Sequence, residues 1–391
     1  MSQVEFTTLG KSCEFFNGKA HEKSIDENGK YIVVNSKFIS SEGKSFKRTN
    51  EQMFPLYKGD IVMVMSDVPN GKALAKCFII DQDDTYSLNQ RICCIRSKEF
   101  DTKYLYYQLN RHEHFLAFNN GENQTNLRKD DILECPLIKP TMEEQKRMVS
   151  ELDLAFSELE KVNRNLSDNI LNAKSIYQSE LNRIFTDKGE NWETKLLKEV
   201  CEKITDGTHQ TPKYFDSGYI FLSSKNVALG FIDWENIKYI DEKQHLEMQK
   251  RVSPKIGDIL LAKNGTTGVA AMVDRDVTFD IYVSLAWLRS KGEVLPEFLL
   301  SFVNSPIAKK QFNHRLKGIG VPNLHLEEIR EVEICFPKSK DEQINLVNYF
   351  NLLLNRTKAL EEKYTLKLNK IEELKSGILK RAFENELIEA E

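Results

Sequence analysis

The side chains best placed for chemistry in this sequence are hydrogen-bond donors and acceptors, not nucleophiles. Thr205-Asp-Gly-Thr-His-Gln-Thr-Pro-Lys213 and Ser223-Ser-Lys-Asn226 crowd hydroxyl, imidazole, carboxamide and ammonium groups into two short runs. A carboxamide matches the N6/N7 edge of adenine, and an ammonium group the O6/N7 edge of guanine. Thr208, His209, Gln210, Lys213, Lys225 and Asn226 are therefore candidates for contact with bases, and Lys263 and Asn264 join them. Such clusters are equally the stuff of ordinary turns. Further along, Phe298–Leu326 holds no acidic residue at all, yet carries Lys309, Lys310, His314, Arg315, Lys317 and His325, with a glycine-rich stretch at Gly318–Gly320. Cationic groups beside exposed backbone N–H groups suit phosphate contacts. The alternative for this run is a solvated basic helix face. In the first half of the chain the analogous candidates for DNA contact are Lys44, Lys47, Arg48, Asn70, Lys72, Gln124 and Asn126, with Lys44–Arg48 reading as a basic loop.

Catalytic constellations are missing. No two prolines are adjacent, which excludes the Asn/Asp-Pro-Pro-aromatic motif of amino-methyltransferases. Gly10-Lys-Ser12 and Gly43-Lys-Ser45 each lack the glycine five residues upstream that a phosphate-binding loop needs. Glu193-Thr-Lys195 and Glu361-Glu-Lys363 read better as a domain-opening turn and a solvated helix face than as the tail of a nuclease site. His112-Glu-His114 offers two imidazoles, but on a helix they would lie on different faces. No metal site is expected, and the chain is expected to bind no cofactor of its own.

The bulk properties fit that picture. The 391 residues carry a net charge of −4, so nucleic-acid binding would depend on a local basic face. The seven cysteines form no Cys-x-x-Cys pair and read as reduced thiols of a cytoplasmic protein. Met1–Phe16 lacks a basic segment followed by an apolar core, which argues against a signal peptide. No apolar run approaches the ~18 residues of a membrane span.

The elements that must position these groups are organised by two rods. Thr141–Phe185 contains neither proline nor glycine, and Met148, Leu152, Ala155, Leu159, Val162, Leu166, Asn169, Ala173 and Ile176 recur at alternating steps of four and three. That spacing predicts a helix of roughly 65 Å laying one seam along a partner. The partner lies 198 residues on, where Leu346, Phe350, Leu353, Thr357, Leu360, Tyr364, Lys367, Ile371 and Leu374 fall in the same register. What precedes each rod is matched too. Cys13-Glu14 aligns with Cys201-Glu202, Gly59-Asp-Ile61 with Gly257-Asp-Ile259, Asn126-Leu127 with Asn323-Leu324, and Glu144-Gln145 with Glu342-Gln343. A near-constant offset over that many sites is an internal duplication. Short β-branched runs predict strands at Tyr31–Val34, Asp60–Met65, Phe78–Asp81 and Ile92–Ile95, and at Ile220–Leu222, Ile259–Leu261, Val269–Val273 and Ile281–Leu285. Asp101–Phe118 and Pro296–Phe312 read as helices. Thr141 and Ser339 are positioned to cap the rods.

At this point the sequence resembles a family. Cys135-Pro-Leu-Ile-Lys-Pro-Thr-Met-Glu-Glu-Gln-Lys-Arg-Met-Val149 looks like the junction into its spacer helix, and Asp206-Gly-Thr-His-Gln-Thr-Pro-Lys213 with Phe221-Leu-Ser-Ser-Lys-Asn-Val227 is similar to the opening of one of its recognition domains. The family is that of the specificity (S) subunits of type I restriction–modification systems. The resemblance implies an α+β fold: two mixed α/β target-recognition domains separated by two long antiparallel coiled-coil helices, an internal pseudo-two-fold duplication. Residues 1–140 and 187–338 would be the recognition domains, 141–186 and 339–391 the helices. It also implies a non-catalytic subunit in which each domain reads half of a split double-stranded DNA target. The helices would set the gap and dock two methyltransferase subunits. Those subunits would use S-adenosylmethionine, and restriction subunits would use ATP and Mg. The first domain lacks the Asp-Gly-Thr-His wording, so its contacts do not carry over. A coiled-coil adaptor joining protein partners without DNA is the rival reading.

Overall fold

The structure, a computed structural model, describes residues 5–69, 71–315 and 323–390, with side chains in the last helix as far as Phe383. By its contacts the chain falls into two units, residues 1–165 with 368–391, and residues 166–367. Each long helix, Met142–Thr186 and Lys340–Ala390, is shared between them.

The two units are built to one plan. In the first, an antiparallel sheet runs in the order Glu14–Asn17, Ile92–Arg96, Ile61–Val64, Cys77–Ile79. A second sheet runs Lys47–Thr49, Tyr31–Val34, Tyr86–Leu88, the last two strands parallel. The second unit repeats both, as Cys201–Asp206, Leu285–Ser290, Ile259–Ala262, Ala270–Met272, and as Lys238–Ile240, Tyr219–Leu222, Phe279–Ile281 with one parallel pair. The central strands Ile61–Val64 and Ile259–Ala262 are buried throughout. This is why they read as unbroken apolar runs and not as alternations. A two-stranded ribbon closes each unit, pairing Glu5–Thr8 with Pro136–Lys139 and Trp192–Leu196 with Glu333–Pro337.

Two buried polar pins recur in both copies. Asp60 holds Arg96 through two bonds of 2.6 and 2.8 Å, and Asp258 holds Arg289 through two of 2.9 and 2.7 Å. Gln145, in the first turn of one long helix, donates to the Pro140 carbonyl at 3.0 Å and accepts from the Asp101 N–H at 2.8 Å. Gln343 donates to the Pro337 carbonyl at 2.8 Å and accepts from the Leu295 N–H at 2.8 Å. Thr141 and Glu144 form a capping box beside the first, and Ser339 accepts from the Glu342 N–H beside the second.

In the first unit Met148, near the start of one long helix, and Phe383, near the end of the other, pack on the same core as Tyr104. In the second unit Leu181 and Phe185, ending the first long helix, share a core with Val347 and Phe350, which begin the second. Each unit thus shows the antiparallel pairing.

Several expectations need correction. The seam drifts. Met148, Leu152, Leu166, Phe350 and Ile371 are buried and Leu159, Leu346 and Leu353 half-buried, but Val162, Ile176, Leu360 and Leu374 are exposed. Asn163, Ile170 and Tyr177 turn inward in their neighbourhood, because a helix with 3.6 residues per turn drifts against a strict seven-residue repeat. Asp101–Phe118 is two helices, Thr102–Leu109 and Glu113–Leu116, broken where Arg111 takes a φ of 63°. Pro296–Phe312 also splits, into Pro296–Val303 and Pro306–Arg315, because Pro306 has no N–H to continue the first. Ile281–Leu285 is not a strand but the turn between Phe279–Ile281 and Leu285–Ser290. The Cys-Glu alignment is out by one residue: Glu14 pairs with Arg96 and Lys203 with Arg289, and a bulge between Cys201 and Lys203 absorbs Glu202.

Replacing Gln343 with Leu leaves the Leu295 N–H and the Pro337 carbonyl buried without this partner. The expected cost is at least about 2 kcal/mol. It should appear as a lower unfolding midpoint and as faster amide exchange at Leu295 than at Asp101, whose glutamine is intact.

Candidate nucleic-acid interface

The turn after Cys201–Asp206 starts the candidate interface of the second unit. Gly207 runs so close to the next strand that a Cβ there would stand 1.8 Å from the Ile281 carbonyl oxygen, so no larger residue fits. Thr208 donates its N–H to Ile281 at 3.1 Å and accepts from Val283 at 2.9 Å. The loop leaves His209, Gln210 and Lys213 exposed. Neighbouring strand ends bring further loops alongside. Ser284 receives the Ser224 N–H on its hydroxyl at 3.0 Å and the Lys263 N–H on its carbonyl at 2.8 Å. A Cβ on Gly265 would meet the Ser224 hydroxyl, and one on Gly268 would meet Phe312 and Lys309. Thr208, Ser224-Lys225, Asn264 and Lys309 therefore belong to one continuous rim. Lys309, Lys310, Asn313 and His314 line a shallow depression there.

Three expected contacts are instead bonded within the fold. Lys263 is 5% exposed, its ammonium 2.6 Å from the Asp206 carboxylate. Asp206 also takes Arg251 at 2.6 Å and His209 at 3.3 Å. Burial alone would push the Asp206 carboxyl up, but bonds and charge from Lys263 and then His209 outweigh it and hold the carboxyl below its usual range. Asn226 is buried, its oxygen bonded to the Ser223 N–H and its amino group to the Asp233 and Asn236 carbonyls. Arg315 donates to the Gln311 and Glu331 carbonyls. Lys263 and Asn226 are spent on positioning the rim, whereas the two bonds of the half-buried Arg315 use two of its five N–H groups.

The first unit carries the same rim on different residues. A Cβ on Gly18 would stand 2.0 Å from the Asn89 carbonyl oxygen, and Lys19 bridges Asn89 as Thr208 bridges Tyr282. Asn35-Ser36-Lys37 follows Tyr31–Val34 as Ser223-Ser224-Lys225 follows Tyr219–Leu222. Ser66–Asp67 pairs with Thr125–Asn126 where Asn264 bridges Asn323. The flanking bonds match, Leu127 N–H to Met65 at 2.8 Å and Leu324 N–H to Lys263 at 3.1 Å. Asn120, Asn123, Gln124, Asn126 and Arg128 line a depression beside this ribbon.

The family model described as the type I restriction modification DNA specificity domain matches residues 1–167 and again 189–372. The chain belongs to that family. It is 22% identical over 365 residues to the type I restriction enzyme MjaVIII specificity subunit of Methanocaldococcus jannaschii, covering 87% of this chain and 83% of that one. It is 21% identical to the EcoBI specificity subunit of Escherichia coli, covering 77% and 69%. Among solved structures, one described as showing complex assembly and conformational transition of the type I R-M system matches over 97% of both chains, with 18% identity and a TM-score of 0.73. The HsdS subunit from Thermoanaerobacter tengcongensis matches over 97% and 96%, with 17% identity and a TM-score of 0.56. At these identities the structural likeness speaks for the fold alone.

Lys44, Lys47 and Lys72 are exposed, whereas Arg48 donates to the Gly29 carbonyl and lies 5.1 Å from the Phe46 ring. Asn70, Lys317 and Gly318–Gly320 lie outside the described residues. Exposed Lys19 and Lys37 were both missed by the sequence reading; for Lys19 the one-residue bulge hid the match of Asn17-Gly18-Lys19 to Asp206-Gly207-Thr208, whereas Lys37 falls on Lys225 at the Cys-Glu offset itself. His114 bonds the Asp131 carbonyl through its ring, and its N–H donates to His112 Nδ1. Among the described residues no group of three His, Cys, Asp or Glu side chains is arranged to hold a metal.

Asp206→Asn leaves Lys263 buried without its counter-charge, at an expected cost of about 3–5 kcal/mol. The folded carboxyl lies below its unfolded value of about 3.9. Its share of stability is therefore full above that pH and fades as pH falls through the lower folded value. The gap between wild type and variant in acid unfolding should close over that window. A gap that stays constant there would mean that the ion pair contributes nothing. Separately, replacing Lys309 and Lys310 with Ala should weaken binding to all duplexes alike and lower the salt slope by roughly 0.9 for each phosphate that is no longer neutralised. An altered target with an unchanged slope would mean that they read bases.

Proposed function

We propose that this chain is the DNA-recognition subunit of a type I restriction–modification enzyme, in which each unit reads one half of a split, asymmetric target. One observation carries the reading: two copies share a backbone rim set by Gly18 and Gly207, while some side chains on that rim differ, Lys19 standing for Thr208 and Ser66 for Asn264. A scaffold repeated with different exposed donors and acceptors suits two readers of two different sequences. A protein adaptor would have no use for an acid-free stretch holding Lys309, Lys310 and His314.

In this reading catalysis belongs to other subunits. Two methyltransferase subunits would use S-adenosylmethionine to methylate adenine in each half-site. Restriction subunits would join that core and use ATP and Mg to translocate and cut unmodified DNA. The long helices supply docking faces. Leu154, Leu171 and Leu366 are 67%, 65% and 56% exposed on them. No helix among the described residues is long and apolar enough to cross a membrane.

The decisive experiment is a gel shift with the methyltransferase subunits present. The complex should retard a duplex carrying the split motif that its own methylation reveals in the host genome, and release it when either half is scrambled. Retention of none would favour the adaptor, and retention of all duplexes alike would overturn the reading of a split target.

A further inference from the structure

We propose that the bridge at the end of the central strand of each unit carries the base-reading carboxamides, Gln124 with Asn126 in the first unit and Asn264 with Asn323 in the second, and that the base read by the first pair is adenine. The proposal rests on the DNA-recognition reading above and deepens it.

The two bridges are the same place in the fold. Val64 pairs with Ile92 and Ala262 with Leu285, so Ser66 and Asn264 stand two residues beyond equivalent points. Asn126 faces Ser66, and Asn323 faces Asn264. The backbone of both is satisfied by the matched Leu127 and Leu324 bonds. Side chains there are held by strand pairing, which fixes them better than a free loop would.

In the first unit the Gln124 amide nitrogen is committed inward, to the Ser66 hydroxyl at 2.9 Å and the Asn126 oxygen at 3.4 Å. What remains is an acceptor, Gln124 Oε1, beside a donor, Asn126 Nδ2, both on exposed residues. The major-groove edge of adenine presents the complement, a donor at N6 beside an acceptor at N7. Guanine, with two acceptors there, repels Gln124 Oε1. In the second unit Asn264 Oδ1 and Asn323 Oδ1 are shielded from solvent and have no hydrogen-bond partner. Folded proteins seldom leave such oxygens unsatisfied, and rotation of these side chains toward a bound duplex would let a base amino group meet the need. Neutral carboxamides carry sequence information, and the exposed lysines Lys19, Lys37 and Lys225 on the same rims supply the phosphate contacts that carry none.

The test expresses Gln124→Ala, Asn126→Ala and Asn323→Ala separately with the methyltransferase subunits and reads the methylated-adenine motif of the host genome by sequencing. Gln124→Ala and Asn126→Ala should relax one and the same position in one half of the motif, with discrimination falling about ten- to a hundredfold. Asn323→Ala should relax one position in the other half. In each case the untouched half reports that the variant folds and assembles. Unchanged motifs would overturn the proposal. If Asn126→Ala abolishes the whole motif, Asn126→Asp is read, since it keeps the acceptor for Gln124 and removes the donor. Relaxation at a single position then supports the proposal, and total loss again overturns it. A wild-type complex that methylates no split motif would sink the recognition reading itself, and this one with it.

Discussion

A buried glutamine at the first turn of each long helix is the contact on which the rest depends. Gln145 and Gln343 are 1% and 0% exposed. Each gives its amide to a proline carbonyl just before the helix and takes an N–H at the start of another helix in the same unit, that of Asp101 or Leu295. A long helix joined to a domain by one strand would otherwise swivel. The carboxamide closes a second link through groups that burial makes costly to leave unpaired. Direction is then inherited. The strand pairs with the opening residues of its unit, the helix leaves at a fixed angle, and its apolar seam meets the other helix. Trp192 adds to the weld in the second unit, its indole N–H 2.8 Å from Glu342.

From that weld outward the two copies are free to diverge, and they do so unevenly. Positions that hold backbone close to backbone repeat: Gly18 and Gly207, the Asp60–Arg96 and Asp258–Arg289 pairs, the Leu127 and Leu324 bonds. Positions that point outward repeat less often: Lys37 and Lys225 do, Lys19 and Thr208 do not. Even buried support differs. Asp206 and Lys263 form an ion pair under the second rim, where the first has Asn17 and Met65. Lys263 could not be buried there without a counter-charge, which Asp206 provides.

This unevenness explains what was legible in the sequence. The rods, the duplication and the strands that feed the helices were readable because periodicity and landmark residues report packing directly. The rim was half-readable. His209, Gln210 and Lys225 are exposed as their types suggest, but Lys263 and Asn226 have the same polar types and serve the fold. Type and spacing cannot separate a lysine that finds an aspartate 57 positions away from one that finds water. Lys19 escaped for a different reason. A bulge of one residue shifted the copies against each other, and an alignment anchored on Cys-Glu slid past the match. The exposed Val162 and Leu374 record a third limit: the seam is a property of two helices together, and one helix's period gives it only to within a residue.

The charge balance bears on how recognition is divided. A chain of net charge −4 gains little from long-range attraction to a polyanion. Its affinity must come from a few local cations, and each contributes the same to any sequence. The carboxamides and hydroxyls along the rims contribute little to affinity but much to discrimination, because a mismatched base leaves them unpaired. A protein so composed binds weakly when alone and selectively when something else supplies the attraction. Weak general binding is useful here, since tight binding to arbitrary DNA would hold the complex on wrong sequences. On the reading proposed above, the acidic surplus is consistent with a reader that works inside a larger assembly.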